Sequence, residues 1–211
     1  MTNHGRIIKF PIDVKQGAQW LAKTEPRFAE LLKQTGPLPL RLKPPGFKGL
    51  LDIIISQQVS VASANAIHAR LEEADLKSKE AVLAAGEEGL RAVGFSRPKI
   101  RYALILAKDD LDYHALRLMS DEDAIKRLTS ITGIGPWTAQ IYVMFCMGRA
   151  DVFPAGDLAL QVAAQHLFEL PARPKPDEIA QMAKAWSPWR SVAARALFAY
   201  YRVLKNREGL G

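Results

Sequence analysis

The pattern of apolar positions is ambiguous in the block "FKGLLDIIISQQVSVASANAIHARLEEA", which runs from Phe47 to Ala74. Its β-branched residues are typical of a strand. The apolar positions nevertheless keep the three- and four-residue spacing of one helix face, at Leu50, Ile54, Val61, Ala64, Ile67 and Leu71. The pattern therefore favours a long buried helix, which we expect to break near Ser60.

Two shorter helices are predicted before this stretch. Asp13 is a candidate cap for "VKQGAQWLAK", and Thr24 is a candidate cap for "EPRFAELLKQT", which has Pro26 in its first turn and Gly36 at its end. The segment that follows, "GPLPLRLKPPG" at residues 36–46, contains four prolines, which interrupt any regular element. We interpret this segment as a crossover between two lobes.

The middle of the chain contains further helix boundaries. "KEAVLAAGEEGLRAVGF" and "RPKIRYALILAKDDL" predict two short helices separated by Gly94 and Ser96. Ser120, with Asp123 three residues later, resembles a capping box at the start of "DEDAIKRLTS". Pro136 is suited to the first turn of the next helix, so two helices are expected close together.

Helical signals continue to the end of the chain. "DVFPAGD" reads as an irregular link, and Asp157 is placed to begin "LALQVAAQHLFEL". "PARPKP" separates that helix from "DEIAQMAKAW", and Ser187 with Pro188 would cap and begin "WRSVAARALFAYYRVLKN". Since no repeat period and no two-residue hairpin turn emerges, the predicted fold class is mainly α.

Gly133 and Gly135 enclose a single isoleucine directly before Pro136, in "LTSITGIGPWTAQ". A helix, a Gly-Ile-Gly turn and a second helix would leave backbone N–H donors at a positive helix end, which suits a phosphate. Such donors would bind nucleic acid whatever its sequence. A turn whose glycines only satisfy packing explains the same pattern about equally well.

The composition indicates a basic protein with one cysteine. Of the 211 residues, 29 are Lys or Arg and 22 are Asp or Glu, which gives a formal net charge of +7 and favours a polyanionic partner such as nucleic acid. The single Cys146 excludes an intramolecular disulfide and a cysteine-ligated iron–sulfur cluster, and we expect it to pack as a small apolar group. The histidines lie too far apart for a local metal motif, at positions His4, His68, His114 and His166.

Four motifs now support a family resemblance. "LTSITGIGPWTAQ" resembles the helix–hairpin–helix of the base-excision DNA glycosylase superfamily, and "DVFPAGDLALQ" is similar to its Gly/Pro-rich loop with a catalytic aspartate. "ISQQVSVASANAI" and "WSPWRSVAARALFAYY" extend the likeness to the alkylpurine branch, DNA-3-methyladenine glycosylase II. The resemblance covers the chain from about Phe47 to Tyr201.

The resemblance implies a two-lobed helical glycosylase fold. One lobe, at 46–150, would contain the helix–hairpin–helix at about 121–148. The other would be formed by both chain ends, 1–45 and 151–211. An active-site cleft is expected between the lobes.

The resemblance also bears on the type of reaction. Bifunctional members of the superfamily carry a lysine nucleophile at the second position after the last glycine of the hairpin, and Trp137 occupies that position here. Because tryptophan has no amine, it cannot form a Schiff base with the sugar. The resemblance therefore implies a monofunctional glycosylase. The four cysteines of the cluster-containing members are also missing.

Asp157 matches the catalytic position of the family. A carboxylate there would stabilise the positive charge that develops on the deoxyribose, and it would orient or deprotonate the attacking water. The sequence pattern alone is better explained by a helix N-cap at Asp157, and the two roles can coexist. Asp151 is the rival acid nearby.

Excision requires the nucleotide to leave the base stack and enter a pocket. By resemblance, Gln58 matches the wedge position that fills the gap, with Gln57 beside it, although two polar residues on a solvated helix face are the alternative. Aromatic faces would bind a cationic alkylated base, and core packing is the alternative for them. The candidate pocket residues are Trp137, Trp186, Trp189 and Ile141.

The candidate phosphate-binding residues lie in and near the hairpin, at Gly133, Ile134, Gly135, Thr138 and Lys99. Other basic side chains could contact flanking phosphates or be ordinary surface charge, at Arg97, Arg101, Arg190 and Arg195. The resemblance further suggests Na⁺ or K⁺ at the backbone carbonyls of Thr129, Ile131 and Ile134. No other cofactor is expected.

The function predicted from the sequence is monofunctional excision of 3-methyladenine, and of further N-alkylpurines, in base excision repair. The alternatives are a bifunctional glycosylase/lyase and a noncatalytic helix–hairpin–helix module that binds DNA. The expected partner is double-stranded DNA with alkylated bases, bound by a monomer. Because no segment reaches the roughly 20 apolar residues of a membrane span, we expect an intracellular protein of the nucleoid or nucleus.

Overall fold

The computed structural model describes residues 5–207, and only the backbone of Val61. Within this range the chain is mainly helical, as predicted, and contains no β-strand beyond an isolated bridge between Ile7 and Arg149. The helices are α1 Pro11–Thr24, α2 Pro26–Thr35, α3 Phe47–Ile55, α4 Val61–Glu73, α5 Lys79–Ala92, α6 Arg97–Lys108, α7 Tyr113–Leu118, α8 Asp121–Thr129, α9 Pro136–Phe145, α10 Leu158–Leu167, α11 Pro176–Ala183 and α12 Arg190–Arg207, with a short 3-10 helix at Lys184–Trp186.

The helices form two compact units. The first unit is Lys43–Met147, and the second combines residues 5–42 with 148–207. The predicted lobes divide the chain at 45/46 and 150/151 instead, and their outermost residues, 1–4 with His4 and 208–211, lie outside the described residues. The cleft expected between the lobes stays a prediction.

In the first unit, α3 packs against α4, α6 and α9. Seven of its nine residues are buried, because the apolar positions surround most of this short helix. The predicted break is confirmed, since α3 ends at Ile55 and the hydroxyl of Ser60 accepts the N–H of Ser63 at the start of α4. We call residues 56–60 the α3–α4 loop.

In the second unit, α12 packs against α1, α2 and α10. Gly17 of α1 allows a close approach to α12, because a Cβ at this position would lie 2.6 Å from Val192 and 2.7 Å from the ring of Trp189. An aromatic cluster fills the space between the helices, and its members are Phe28, Phe153, Phe168 and Trp186.

Several predicted helix boundaries are confirmed. The Ser120 hydroxyl caps α8 by accepting the N–H of Asp123, but the Asp123 carboxylate accepts this hydroxyl and not the backbone N–H of Ser120, so only the first bond of the predicted capping box is confirmed. Pro136 is the first residue of α9, and Asp157 caps α10. Gly36 ends α2 with a φ of 69°, a left-handed conformation that favours glycine.

Three predicted caps are wrong. The carboxylate of Asp13 lies in the first turn of α1, where it accepts the N–H groups of Lys9 and Phe10. Thr24 is the last residue of α1, and Glu25 caps α2 instead. Ser187 and Pro188 precede α12, which begins at Arg190. The Ser187 hydroxyl does not cap this helix, since it donates to Asp151.

Cys146 packs as a small apolar group, as expected. It is buried at the end of α9, where a Cβ on Gly49 of α3 would lie 3.0 Å from its sulfur. Burial raises the pKa of the Cys146 thiol to about 12, so the thiol stays protonated at neutral pH. The structure therefore gives this cysteine a packing role.

Candidate functional site

The turn between α8 and α9, residues 130–135, depends on Gly133. Its φ of +96° lies in the left-handed region that favours glycine. A Cβ at this position would also lie 2.3 Å from the ring of Tyr102 on α6. Both the backbone conformation and the packing therefore require glycine here. We call residues 130–135 the hairpin turn.

Gly135 differs from Gly133 in both respects. Its φ of −83° is ordinary for any residue. It is exposed, and a Cβ would have no described atom within 4 Å. Nothing in the described part of the chain requires glycine at this position. The missing side chain instead leaves the backbone open to close approach from outside.

The hairpin turn presents backbone donors next to the start of α9. The N–H groups of Gly133 and Gly135 have no acceptor among residues 5–207, whereas that of Ile134 donates to the carbonyl of Ile131 at 3.0 Å. The predicted phosphate contact of Ile134 is therefore wrong for its N–H. The dipole of α9 adds positive potential at the two glycines, which suits an anion.

The side chain of Gln57 is bonded to this turn. Its amide nitrogen Nε2 donates to the carbonyl of Gly133 at 3.2 Å and to the hydroxyl oxygen of Thr138 at 2.8 Å. Gln57 is therefore not available as a wedge. The hydroxyl of Thr138 is buried and engaged, which leaves its backbone N–H in the first turn of α9 for a phosphate.

Gln58 remains the wedge candidate, and its role stays a prediction. It is exposed at the α3–α4 loop and adopts a left-handed conformation with a φ of 53°. The next residue, Val59, is 37% exposed although it is apolar. The tip of this loop therefore presents one amide and one apolar side chain to the outside.

The prediction for Lys99 is wrong. Its side chain is only 7% exposed, and Nζ donates to the carbonyl of Ile55, the last residue of α3. Burial lowers the pKa of Lys99. Lys99 therefore stabilises the carbonyl end of α3 and is not presented to a phosphate.

Of the other basic candidates, Arg97 and Arg101 are exposed on α6. Arg195 is buried, and its guanidinium donates to the carbonyls of Leu40 and Ser191. Arg190 makes a two-point ion pair with Asp151, at 2.9 and 3.0 Å. Only the two α6 arginines thus remain as exposed candidates without an ion pair to a described residue.

Asp157 lies at the N-terminus of α10, where its Oδ1 accepts the N–H of Ala159 at 2.9 Å and that of Leu160 at 3.4 Å. The carboxylate is half-buried and thus reachable from solvent. These bonds fix its orientation before any ligand arrives. A fixed negative charge is what an oxocarbenium-like sugar requires for stabilisation.

The loop that carries Asp157 is held from two helices. The buried hydroxyl of Ser191 on α12 accepts the N–H of Val152, and the N–H of Ser191 donates to the carbonyl of Ala150. From α10, the amide of Gln161 donates to the carbonyl of Ala155 at 2.9 Å. The path of the loop is therefore determined before Asp157 is reached.

Asp151 has a structural role and is a poor rival for catalysis. Its two carboxylate oxygens accept hydrogen bonds from the guanidinium of Arg190, and Oδ2 also accepts the hydroxyl of Ser187 at 2.7 Å. Burial raises the pKa of Asp151, but these bonds and the charge of Arg190 outweigh it, so the net pKa lies below the ordinary value. The carboxylate is therefore a charged anchor for the start of α12.

The structure contradicts a pocket role for Trp186. Its ring is 3% exposed, stacks on Phe168 at 5.8 Å between centroids, and meets Phe28 and Phe153 edge-on at 5.4 and 5.3 Å. Such packing leaves no face for a base. Trp186 is a core residue of the second unit.

The other tryptophans differ in exposure. Trp189 is 5% exposed, with the guanidinium of Arg6 at 4.7 Å from its ring centroid, so its cation-binding face is already occupied and the pocket prediction is wrong for it. Trp137 is half-buried in the first turn of α9. Ile141, one helical turn later, is buried on the same side of the helix. Trp137 thus remains the accessible pocket candidate, whereas Ile141 is only 7% exposed and presents little surface to a base.

The monovalent cation at the hairpin backbone stays a prediction, for which the carbonyl oxygens of Thr129, Ile131 and Ile134 are the candidate ligands. The carbonyl oxygens of Thr129 and Ile134 accept no hydrogen bond from the described residues, and that of Ile131 accepts one, from Ile134. Each carbonyl has two lone pairs, so all three can coordinate an ion. Within residues 5–207 no cluster of His, Cys, Asp and Glu is placed to bind a metal.

Comparison with known families decides the assignment. The family of HhH-GPD superfamily base excision DNA repair proteins matches residues 51–189, a range that contains the hairpin turn and Asp157. The chain belongs to this superfamily. Membership confirms the family resemblance of the sequence motifs and the helical fold class.

Individual relatives agree with the HhH-GPD assignment. Putative DNA-3-methyladenine glycosylase YfjP of Bacillus subtilis is 30% identical over 220 residues, which cover 93% of this chain and 75% of that protein. Alkylbase DNA glycosidase-like protein mag2 of Schizosaccharomyces pombe is 27% identical over 194 residues, covering 86% of this chain and 91% of that protein. The relatives therefore align along nearly the whole chain.

Solved structures agree as well. The 3-methyladenine DNA glycosylase of Schizosaccharomyces pombe, in complex with abasic DNA, has a TM-score of 0.78 at 28% identity and covers 87% of this chain and 95% of its own. A DNA-3-methyladenine glycosidase from Bacillus halodurans has a TM-score of 0.78 at 29% identity and covers 90% of this chain and 91% of its own.

Among the helices of residues 5–207, none has the length and hydropathy of a membrane-spanning segment.

Two residues of α6 support the hairpin turn and the α3–α4 loop in ways that were not predicted from the sequence. Tyr102 limits the space at Gly133, and Lys99 binds the end of α3. A signal existed for Lys99, because it shares the apolar helix face of Ala103 and Leu106 at four- and three-residue spacing. No sequence signal identifies the contact of Tyr102.

The two hairpin glycines should respond differently to alanine. Gly133→Ala should lower the free energy of unfolding by about 1–3 kcal/mol, because of its positive φ and the ring of Tyr102. Gly135→Ala should change stability by less than about 0.5 kcal/mol but weaken duplex binding about tenfold. Urea unfolding and fluorescence anisotropy with a labelled duplex measure the two effects. Unchanged duplex binding by Gly135→Ala would contradict close approach at this position.

Alanine substitution should also distinguish the core role of Trp186 from the pocket role predicted for Trp137. Trp186→Ala should lower the free energy of unfolding by about 3–5 kcal/mol, because it empties the aromatic cluster. Trp137→Ala should cost much less stability, since that ring is half-buried, but it should reduce base excision. Urea unfolding and an excision assay on both variants check this. A fully stable Trp186→Ala protein would show that Trp186 is not core.

Proposed function

We propose that the chain is a monofunctional DNA glycosylase, which flips an alkylated purine such as 3-methyladenine out of duplex DNA and hydrolyses its N-glycosidic bond. The observation that carries the proposal is the Asp157 carboxylate, fixed at the start of α10 in a chain of a base excision repair superfamily. The names of the relatives, DNA-3-methyladenine glycosylase and alkylbase DNA glycosidase-like protein, support the substrate class.

The chemistry requires one well-oriented carboxylate. An N-alkylated purine is cationic and leaves as a neutral base, so the protein need not supply a strong acid. Positive charge then develops on the deoxyribose, and the negative Asp157 stabilises it. The same carboxylate orients the water that attacks the anomeric carbon and accepts its proton. The products are the free base and an abasic site in an unbroken strand.

Trp137 supports hydrolysis over lyase chemistry. It follows Gly135 at the second position, where a bifunctional enzyme would need a lysine amine for a Schiff base. Trp137 instead offers an aromatic surface, which attracts a flat cationic base by stacking and cation–π interaction.

The DNA contacts follow from the exposed groups of the first unit. The N–H groups of Gly133 and Gly135 bind a phosphate at the start of α9, and Gln58 inserts where the flipped nucleotide was. The exposed Arg97 and Arg101 of α6 contact further phosphates. Na⁺ or K⁺ at the hairpin carbonyls would add positive charge at the same phosphate. The protein acts on one duplex as a monomer.

A noncatalytic module that binds DNA through the same hairpin is the second candidate. The hairpin turn supports it as well as it supports an enzyme, because backbone donors bind phosphates without any chemistry. Asp157 favours the enzyme, since a solvent-reachable carboxylate would repel the DNA backbone. Release of a base separates the two.

Incubation with methylated duplex DNA tests the proposed reaction. Chromatography should detect free 3-methyladenine, and strand breaks should appear only after later alkali treatment. Asp157→Asn should reduce excision by about 10²–10³-fold, because the neutral amide no longer stabilises the cationic sugar. Near wild-type excision by this variant would remove the assignment of Asp157.

Two features make Asp157→Asn a clean substitution. Asparagine is as good an N-cap as aspartate, so α10 and the fold should persist. DNA binding should be retained or strengthened, because a negative charge is removed. Asp151→Asn is the matched control at the rival acid. It should weaken the ion pair with Arg190 and lower stability, while a folded sample still releases base.

Salt should weaken duplex binding steeply. The slope of log affinity against log salt should be roughly −0.9 per phosphate contacted, because binding releases condensed counterions. Arg101→Gln should make this slope shallower by about 0.9 if Arg101 contacts one phosphate. Lys33→Gln, which removes an exposed lysine paired with Glu30 on α2, serves as the control for net charge. Identical slopes for both variants would exclude Arg101 from the interface.

A further inference from the structure

The α3–α4 loop and the hairpin turn are joined by one side chain. The amide group of Gln57 has two N–H donors, and the structure gives each an acceptor, the carbonyl of Gly133 and the hydroxyl oxygen of Thr138. These acceptors lie 76 and 81 residues later in the chain. Gln57 thus contacts both the turn and the first turn of α9.

Helix α6 supports the same two segments. Its buried Lys99 donates to the carbonyl of Ile55, directly before the α3–α4 loop. Its Tyr102, three residues later, packs against Gly133 in the hairpin turn. The loop and the turn are therefore fixed relative to each other through α6 as well as through Gln57.

Gln58 is the residue whose position depends on this arrangement. It follows Gln57 directly, so its Cα lies about 3.8 Å from that of Gln57. Its left-handed conformation is uncommon for a residue other than glycine, and such backbone persists where its surroundings determine it. Hydrogen bonds at the preceding side chain supply such a constraint.

We propose that Gln57 is a positioning residue, which joins the α3–α4 loop to the hairpin turn so that phosphate binding and insertion of Gln58 occur together. This role rests on the proposed function and adds to it a residue that couples the loop to the hairpin turn. Extrusion of a base has to overcome base stacking and pairing. A loop that is already ordered does not add its own conformational entropy to that cost.

We call the two hydrogen bonds of the Gln57 side chain the bridge. Its loss should have different consequences from the loss of simple packing. A packing role would affect stability and all DNA binding alike. A positioning role affects the step in which the base leaves the stack, because the backbone conformation of Gly133 and the ring of Tyr102 still support the hairpin turn without Gln57. The signature is therefore a loss of excision rate larger than the loss of affinity for undamaged duplex.

The first experiment compares Gln57→Leu with Gln58→Ala. Gln57→Leu keeps the approximate size of the side chain but removes both donors. Single-turnover excision should fall at least about tenfold, whereas affinity for undamaged duplex should change less than about threefold. Gln58→Ala, which leaves the bridge intact, should show a similar loss of excision. Parallel losses of excision and undamaged-duplex affinity in Gln57→Leu would overturn the proposal.

Thr138 provides an independent test of the same hydrogen bond. Thr138→Val removes the hydroxyl that accepts from Gln57 and should excise more slowly than Thr138→Ser, which retains this hydroxyl. The double variant Gln57→Leu/Thr138→Val should be no slower than Gln57→Leu, because both changes remove one shared bond. If the losses of excision rate of the two single variants multiplied in the double variant, the bridge would be contradicted.

Hydrogen exchange separates this proposal from the proposed function. In the free protein, Gln57→Leu should accelerate exchange in peptides that cover residues 56–60 and 130–135, with little change in the second unit. Unchanged exchange in these peptides would overturn the bridge, whatever the enzyme assay gives. Absence of base release by the wild-type protein, together with accelerated exchange in the variant, would instead overturn the proposed function and leave the bridge standing.

Discussion

The positive φ of Gly133 is the constraint on which the DNA-binding features of the first unit depend. This conformation turns the chain sharply between α8 and α9, so that the N–H groups of two glycines stay outside any helix. It also exposes the Gly133 carbonyl to the amide of Gln57. The ring of Tyr102 occupies the space that a side chain at Gly133 would need. Turn geometry, the support from α6 and the α3–α4 loop are therefore consequences of one backbone conformation.

Features that depend on a few neighbouring residues could be predicted from the sequence. Ser120 and Asp157 were identified as caps because their acceptor groups lie two or three residues from the N–H groups they bind. The predictions for Thr24 and Ser187 failed where another acceptor or a distant partner competes. The hydroxyl of Ser187 donates to a carboxylate 36 residues earlier, and no local pattern reports such a contact.

The environment of charged and aromatic side chains was harder to predict than the helices. The sequence predicts phosphate binding for Lys99 and offers it for Arg195, but both are buried and donate to backbone carbonyls. It also predicts that Trp186 and Trp189 line the base pocket, whereas both pack in the second unit. Residue type sets what a side chain can bind, whereas tertiary packing decides whether a ligand can reach it. The family motif singled out Asp157 and Trp137, whose roles stay predictions, but it did not specify their surroundings.

The N-cap residues of α9 in the first unit and of α10 in the second unit differ in chemistry, and each suits a different part of the proposed function. At α9 the N-cap is Gly135, which has no side chain to satisfy the helix, so donors and positive potential remain for an external anion. At α10 the N-cap is Asp157, whose Oδ1 accepts two of the helix N–H groups and adds a negative charge. An aspartate at Gly135 would repel the phosphate, and a glycine at Asp157 would leave nothing to stabilise a cationic sugar. In the proposed function, the choice of N-cap residue thus suits α9 to a phosphate and α10 to a cationic sugar.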